Sequence, residues 1–175
     1  RSRAKAVNFG IVYGISEFGL SEQTGINMKE AKEYIDQYLE KYSGIKQFMN
    51  DAVEEAKNKG YIETLYHRRR YIPELKSNNY MVRQFGARAA MNTPIQGTAA
   101  DIMKIAMIDV YKQLKQNNLD AKIVLQVHDE LIIECNKIHK EQATEILRNC
   151  MENAIKLDVP IKAETSEAET WYDAK

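Results

Sequence analysis

The sequence predicts an α+β chain dominated by helix, and three observations carry that expectation. Apolar residues recur at helical spacing, as in Ala31, Tyr34, Ile35, Tyr38 and Leu39. Glycines stand where such stretches stop, at Gly14, Gly25 and Gly60. Two short runs rich in β-branched residues, Ile123-Val-Leu-Gln-Val127 and Leu131-Ile-Ile-Glu-Cys135, flank a polar tip and read as an antiparallel hairpin.

Taken in order, the first helix runs from Arg1 to about Tyr13 and stops at Gly14. Ser16 is placed to cap a short helix that reaches Gln23 and ends at Gly25. Asn27 caps a longer one, 28–42, because its side-chain oxygen can accept from the free N–H groups of the first turn. A further helix spans 43–59 and stops at Gly60. Residues 61–65 and 71–73 form a small hairpin whose loop holds His67-Arg68-Arg69-Arg70. Residues 79–91 are helical. Pro94 then breaks or kinks the chain, since it lacks an N–H and restricts Thr93. A second helix follows to about Gln116, then the acidic-tipped hairpin, then a helix over 140–156. The last strand expected is 161–165.

Composition narrows the class of protein. With 25 basic and 25 acidic residues the formal net charge is zero, so bulk charge gives no argument for nucleic-acid binding. Any basic surface is local, at Arg1, Arg3 and Lys5 or at Arg68-Arg69-Arg70. Two cysteines, Cys135 and Cys150, make neither a disulfide framework nor a zinc site. No apolar run approaches membrane-spanning length and no signal peptide is seen, so an intracellular globular chain is expected.

Three groups of residues carry chemistry. Arg1, Lys5, Phe9 and Tyr13 recur every four residues, which stacks two cations and two rings along one side of a helix. A polyanion ending in a flat base suits that order. An amphipathic core helix with a solvated basic end suits it too, and on spacing alone that is the commoner case. The second group is His128-Asp129-Glu130, at a tip where an ordinary hairpin carries Asn-Gly or Asp-Gly. Adjacent carboxylates there suit a divalent cation, because Mg²⁺ takes one or two carboxylates together with substrate phosphate oxygens. A solvated acidic turn is the plain alternative. The third group is Arg88, Asn92 and Gln96, donors at four-residue spacing. Donors of this kind suit the purine N3 and pyrimidine O2 acceptors of the minor groove. They also suit an ordinary polar junction.

The ordered set is more specific than its parts. Arg1-x3-Lys5-x3-Phe9-x3-Tyr13-Gly14 resembles motif B of the family A DNA polymerases. Val127-His128-Asp129-Glu130 resembles motif C. Thr93-Pro-Ile-Gln-Gly-Thr-Ala-Ala-Asp101 and Thr64-Leu-Tyr-His-Arg-Arg-Arg-Tyr71 match the same family, in the same order. The resemblance covers essentially the whole chain.

It implies fingers for residues 1–75 and the C-terminal part of the palm for 76–175. It also implies templated nucleotidyl transfer from a dNTP to a primer 3′-hydroxyl, with two Mg²⁺ ions in the complete enzyme. Asp129 is then the principal metal ligand and Glu130 the weaker one. Lys5 and Arg1 neutralise the triphosphate, with Lys5 also a proton donor to the departing pyrophosphate. Phe9 packs on the sugar, while Tyr13 and Gly14 sit at the base-pair end. Arg88, Asn92 and Gln96 contact DNA, and His128 lies at the primer terminus. Arg68-Arg69-Arg70 is left between a grip on template phosphates and a solvated edge.

The family's motif A strand and thumb are not among these 175 residues. The chain is therefore expected to be part of a larger polymerase, located in the bacterial cytoplasm or nucleoid, and to be inactive alone. Its expected partners are primer-template DNA, dNTPs and the rest of the polymerase, with no membrane. Two other classes remain in view: a non-catalytic DNA- or nucleotide-binding module, and a metal-dependent phosphohydrolase. The second would need more ligands than one turn supplies.

Overall fold

A computed structural model describes residues 2–174, with side chains from residue 7 onward. Its elements are α1 (Ser2–Val12), α2 (Glu17–Thr24), α3 (Met28–Lys41), α4 (Ser43–Lys59), β1 (Tyr61–Glu63), β2 (Arg69–Tyr71), α5 (Tyr80–Gln116), β3 (Ala121–Val127), β4 (Glu130–Cys135) and α6 (Lys140–Glu152). Short 3₁₀ turns lie at Pro73–Lys76 and Lys137–His139. The fold is α+β: helices with two antiparallel two-stranded sheets, β1–β2 and β3–β4. The chain divides into two compact units, 1–97 and 98–175.

Local chemistry explains the helix ends in the first unit. The Ser16 side chain accepts from the Gly19 N–H, and Asn27 forms a full capping box with Glu30. α1 closes with two bonds, Gly14 N–H to the Ile11 carbonyl and Ile15 N–H to the Gly10 carbonyl. This pairing requires a left-handed residue at Gly14, whose φ is +75°. The core of this unit joins Ala52 and Ala56 of α4, Ile62 of β1, Ile72 after β2 and Ala90 of α5.

The second unit buries Val110 and Leu114 of α5, Leu131 of β4 and Ala143 of α6. In the β3–β4 ladder Ile123 faces Ile133, but Leu125 faces Ile132, so Val124 is an extra residue. Such a bulge keeps Ile123 and Ile133 on the core face while re-aiming the strand toward the tip.

Several expected elements differ from what is observed. Pro94 does not end a helix: α5 runs through it from Tyr80 to Gln116. Residues 161–165 form no strand; they run extended beside α6, held by side chains. Arg148 donates to Thr165 Oγ1 at 2.5 Å, and the Ala163 N–H donates to Glu152 Oε1 at 3.1 Å. Lys140 pairs with Glu167 at 2.8 Å, and Lys137 pairs with Glu169. Four helical residues rise about 6 Å and two extended residues about 6.6 Å, so a tail running back along α6 meets it at a matching repeat. α6 itself ends at Glu152 rather than Lys156.

Candidate functional site

In α1 the four-residue spacing does place the aromatic pair on one side. Phe9 and Tyr13 are 51% and 40% exposed, whereas Ile11 is 2% exposed and turns to the core. The two rings stack with centroids 6.3 Å apart. The aromatic stripe is therefore surface, not core packing. Lys5 lies on α1, but its side chain falls outside the described residues, as does Arg1 altogether.

The end of that stripe meets the third group of residues. A Cβ on Gly14 would stand 2.5 Å from Met91 Cε and 3.4 Å from Arg88 Cγ of α5. Gly14 thus does two jobs, supplying a left-handed turn and letting α5 approach. The structure brings Tyr13-Gly14 and Arg88 together. Arg88, Asn92 and Gln96 follow one another up α5, the first and last exposed and Asn92 half-buried. Met91, which sequence reasoning did not single out, is what fills the space beside Gly14.

The three arginines of the first hairpin turn toward the protein. Arg68 Nη2 donates to the Gly97 carbonyl at 2.9 Å, and Arg70 Nη1 donates to Thr93 Oγ1 at 3.3 Å. Arg69 pairs with Glu63 at 2.8 Å and lies 4.6 Å over the Tyr61 ring. That hydrogen bond from Arg69 holds the Glu63 carboxyl below its ordinary range. Arg69 and Arg70 lie in β2 itself, not in a free loop.

In the second unit the acidic tip is a two-residue turn. Val127 pairs with Glu130, leaving His128 and Asp129 between the strands. His128 has φ +51°, a conformation that glycine takes freely and that costs other residues about 1 kcal/mol or more. Its carbonyl accepts from Gln126 Nε2 at 2.7 Å, which pins the turn. Asp129 and Glu130 are both exposed. The hairpin's ion pair, Lys122–Glu134 at 3.1 Å, sits near the opposite end of the ladder. Hard carboxylate oxygens suit Mg²⁺, which also needs oxygen ligands from outside the protein. Among the described residues no cluster of three or more acidic, His or Cys side chains forms a self-sufficient metal cage. The donor set fits a cation shared with a phosphate-bearing substrate.

Fold and motif order define a class. The model of DNA polymerase family A matches residues 1–173, and the chain belongs to that family. It is 57% identical over all 175 residues to DNA polymerase I of Bacillus subtilis, and 53% identical to that of Geobacillus stearothermophilus. The chain spans 20% of the length of each of these relatives. Among solved structures it resembles the POL domain of Pol1 from M. smegmatis in complex with DNA primer-template and dNTP. There the TM-score is 0.88 at 43% identity, over 92% of this chain and 28% of that one. Among the described residues, no helix is long and apolar enough to cross a membrane.

Proposed function

We propose that this chain is the nucleotide- and DNA-contacting part of a DNA-directed DNA polymerase. The reaction is templated transfer of a nucleotidyl group from a dNTP to a primer 3′-hydroxyl, in a bacterial cytoplasm or nucleoid. Residues 1–75 serve as fingers and 76–175 as the C-terminal part of the palm. The carrying observation is the stacked, exposed Phe9–Tyr13 pair on the helix that bears Lys5. Such rings have no structural need to face water, and they offer a platform for a sugar and a base pair.

Little covalent chemistry falls to the protein in such a transfer, so positioning and charge stabilisation dominate. Arg1 and Lys5 neutralise the triphosphate, Arg as a planar fork and Lys as a point charge. Lys5 also delivers a proton to the leaving pyrophosphate. Phe9 packs on the sugar, and its lack of a hydroxyl disfavours a dideoxy sugar. Tyr13 and Gly14 bound the base pair. Arg88, Asn92 and Gln96 donate to minor-groove acceptors that every correct pair presents alike. His128 touches the primer end. Asp129 and Glu130 are the residues that would hold Mg²⁺, two ions in the complete enzyme, which supplies charge neutralisation for the attacking and leaving oxygens.

Primer extension tests the proposal. The parent polymerase should copy a template in the presence of all four dNTPs, and the 175-residue chain alone should not. Extension by the purified chain free of other polymerases would refute the division of labour. Failure of the parent to extend would refute the function.

A further inference from the structure

Pro94 ought to interrupt α5. It has no N–H for the Ala90 carbonyl, and its ring crowds that carbonyl. The helix nevertheless runs unbroken, and the β1–β2 hairpin holds it on both sides of the proline. On one side the Thr93 hydroxyl donates to the Ala89 carbonyl at 2.6 Å while accepting from Arg70 Nη1 at 3.3 Å. On the other side Arg68 Nη2 donates to the Gly97 carbonyl at 2.9 Å.

The fit around these bonds is close. A Cβ on Gly97 would come 2.7 Å from Thr64 Cγ2, and one on Gly86 would come 3.0 Å from the Leu75 backbone nitrogen. Gly86, Ala90, Thr93 and Gly97 lie on one stripe of α5, with Ala90 fully buried in the core shared with Ile62 and Ile72. The hairpin is itself held in shape. Thr64 Oγ1 accepts from the Tyr66 and Arg68 N–H groups at 3.2 and 3.3 Å. Alternation from Arg68 into β2 sends Arg68 and Arg70 toward α5 and Arg69 across the hairpin to Glu63.

At 3.6 residues per turn, Arg88, Asn92 and Gln96 form a second stripe about 130° around the helix from the first. Arg88 and Asn92 precede Pro94, and Gln96 follows it. A break at Pro94 would swing Gln96 out of line with the other two.

We infer that Arg68 and Arg70 are positioning residues for duplex recognition: by clasping α5 on either side of Pro94 they keep Arg88, Asn92 and Gln96 in one register along the minor groove. The inference rests on the proposed DNA contacts of those three residues. It differs from a direct grip of the arginines on template phosphates, which would act through charge alone.

The test uses the parent polymerase and compares kcat/KM for extending a matched and a mismatched primer end. Gln96→Ala sets the benchmark and should lower the matched-to-mismatched ratio. Arg68→Met and Arg70→Met should each lower it about five- to tenfold, the scale of one lost hydrogen bond of ordinary strength. Combined with Gln96→Ala, each should add little, because both act on one recognition element. Arg70→Lys should recover part of the loss, and Arg69→Met should leave the ratio unchanged. The salt dependence of duplex affinity should keep its slope in Arg70→Met. A direct phosphate contact would lower the slope by about one.

An unchanged ratio in Arg68→Met and Arg70→Met, an additive loss with Gln96→Ala, or a lowered slope would overturn the inference. An unchanged ratio in Gln96→Ala itself would instead sink the DNA-contact reading beneath it. Should a Met variant fail to fold, Arg70→Gln, which retains a donor, must keep most of the ratio for the inference to stand.

Discussion

Gly97→Ala should destabilise the chain although it replaces a glycine inside a helix. In an open helix that exchange stabilises by up to about 1 kcal/mol, because glycine loses more backbone freedom on folding. At Gly97 the new methyl would lie 2.7 Å from Thr64 Cγ2, well inside contact distance. Thr64 cannot easily give way. It is buried, its β-branched χ1 is stiff, and its hydroxyl holds two backbone N–H groups. Overpacking of this kind costs about 1–3 kcal/mol, so the net loss is up to about 2 kcal/mol. With a urea m-value near 2 kcal/mol/M, the midpoint should fall by up to about 1 M.

Gly44→Ala in α4 is the matched control, since nothing lies within 4 Å of its added methyl. There the midpoint should rise. Thr64→Ser keeps the hydroxyl and removes the clashing methyl, so Gly97→Ala should cost less in that background. Urea unfolding of the four variants measures all of this. If Gly97→Ala stabilises as Gly44→Ala does, the close seating of the hairpin on α5 is wrong.

Other consequences are equally open to measurement. In the parent enzyme, Phe9→Tyr should raise the kcat/KM ratio of dideoxy- to deoxynucleotide, because the new hydroxyl replaces the missing 3′-hydroxyl; an unchanged ratio would show that Phe9 does not face the sugar. Hydrogen bonds from Lys140 and Thr144 depress the Glu167 carboxyl. A depressed acid stabilises above its unfolded value and loses that contribution as pH falls through its lower folded value. Hydrogen exchange in residues 161–170 should therefore quicken as pH drops below about 4.5, after correction for intrinsic rates, and with added salt at neutral pH. Exchange insensitive to both would show that the ion-pair ladder does not hold the tail. His128→Val should destabilise the hairpin by about 1 kcal/mol or more, and His128→Gly by less, since only the former is strained at φ +51°. Equal unfolding midpoints for the two would contradict this.

Much of the molecule was legible because its signals are local. The Ser16 and Asn27 caps, the left-handed Gly14, Gly25 and Gly60, and the acidic-tipped hairpin each follow from a few neighbouring residues. The misread elements depend on distant partners. Pro94 is a helix breaker in isolation, and the arginines clasping the helix around it stand 23 and 29 residues away in sequence. Residues 161–165 do alternate half-buried and exposed, as a strand would, but side chains of α6 take the place of a paired strand. The Val124 bulge left no mark in the apolar run. Of the candidate site, spacing puts Phe9 and Tyr13 on one side of a helix and the acidic pair at a hairpin tip, but it does not say that the rings face solvent, because apolar residues at helical spacing usually face a core. The approach of Gly14 to Met91 was not legible either, because a close contact between helices leaves no trace in either one alone.

Asp129 carries the most direct test of metal-assisted nucleotidyl transfer. Rapid-quench measurement of single-turnover incorporation in the parent polymerase, alongside duplex affinity, compares wild type with Asp129→Ala. A cation-holding carboxylate predicts that incorporation collapses by several orders of magnitude while primer-template binding is retained, with Glu130→Ala milder. Near-normal incorporation by Asp129→Ala would make the tip a solvated turn and contradict the account.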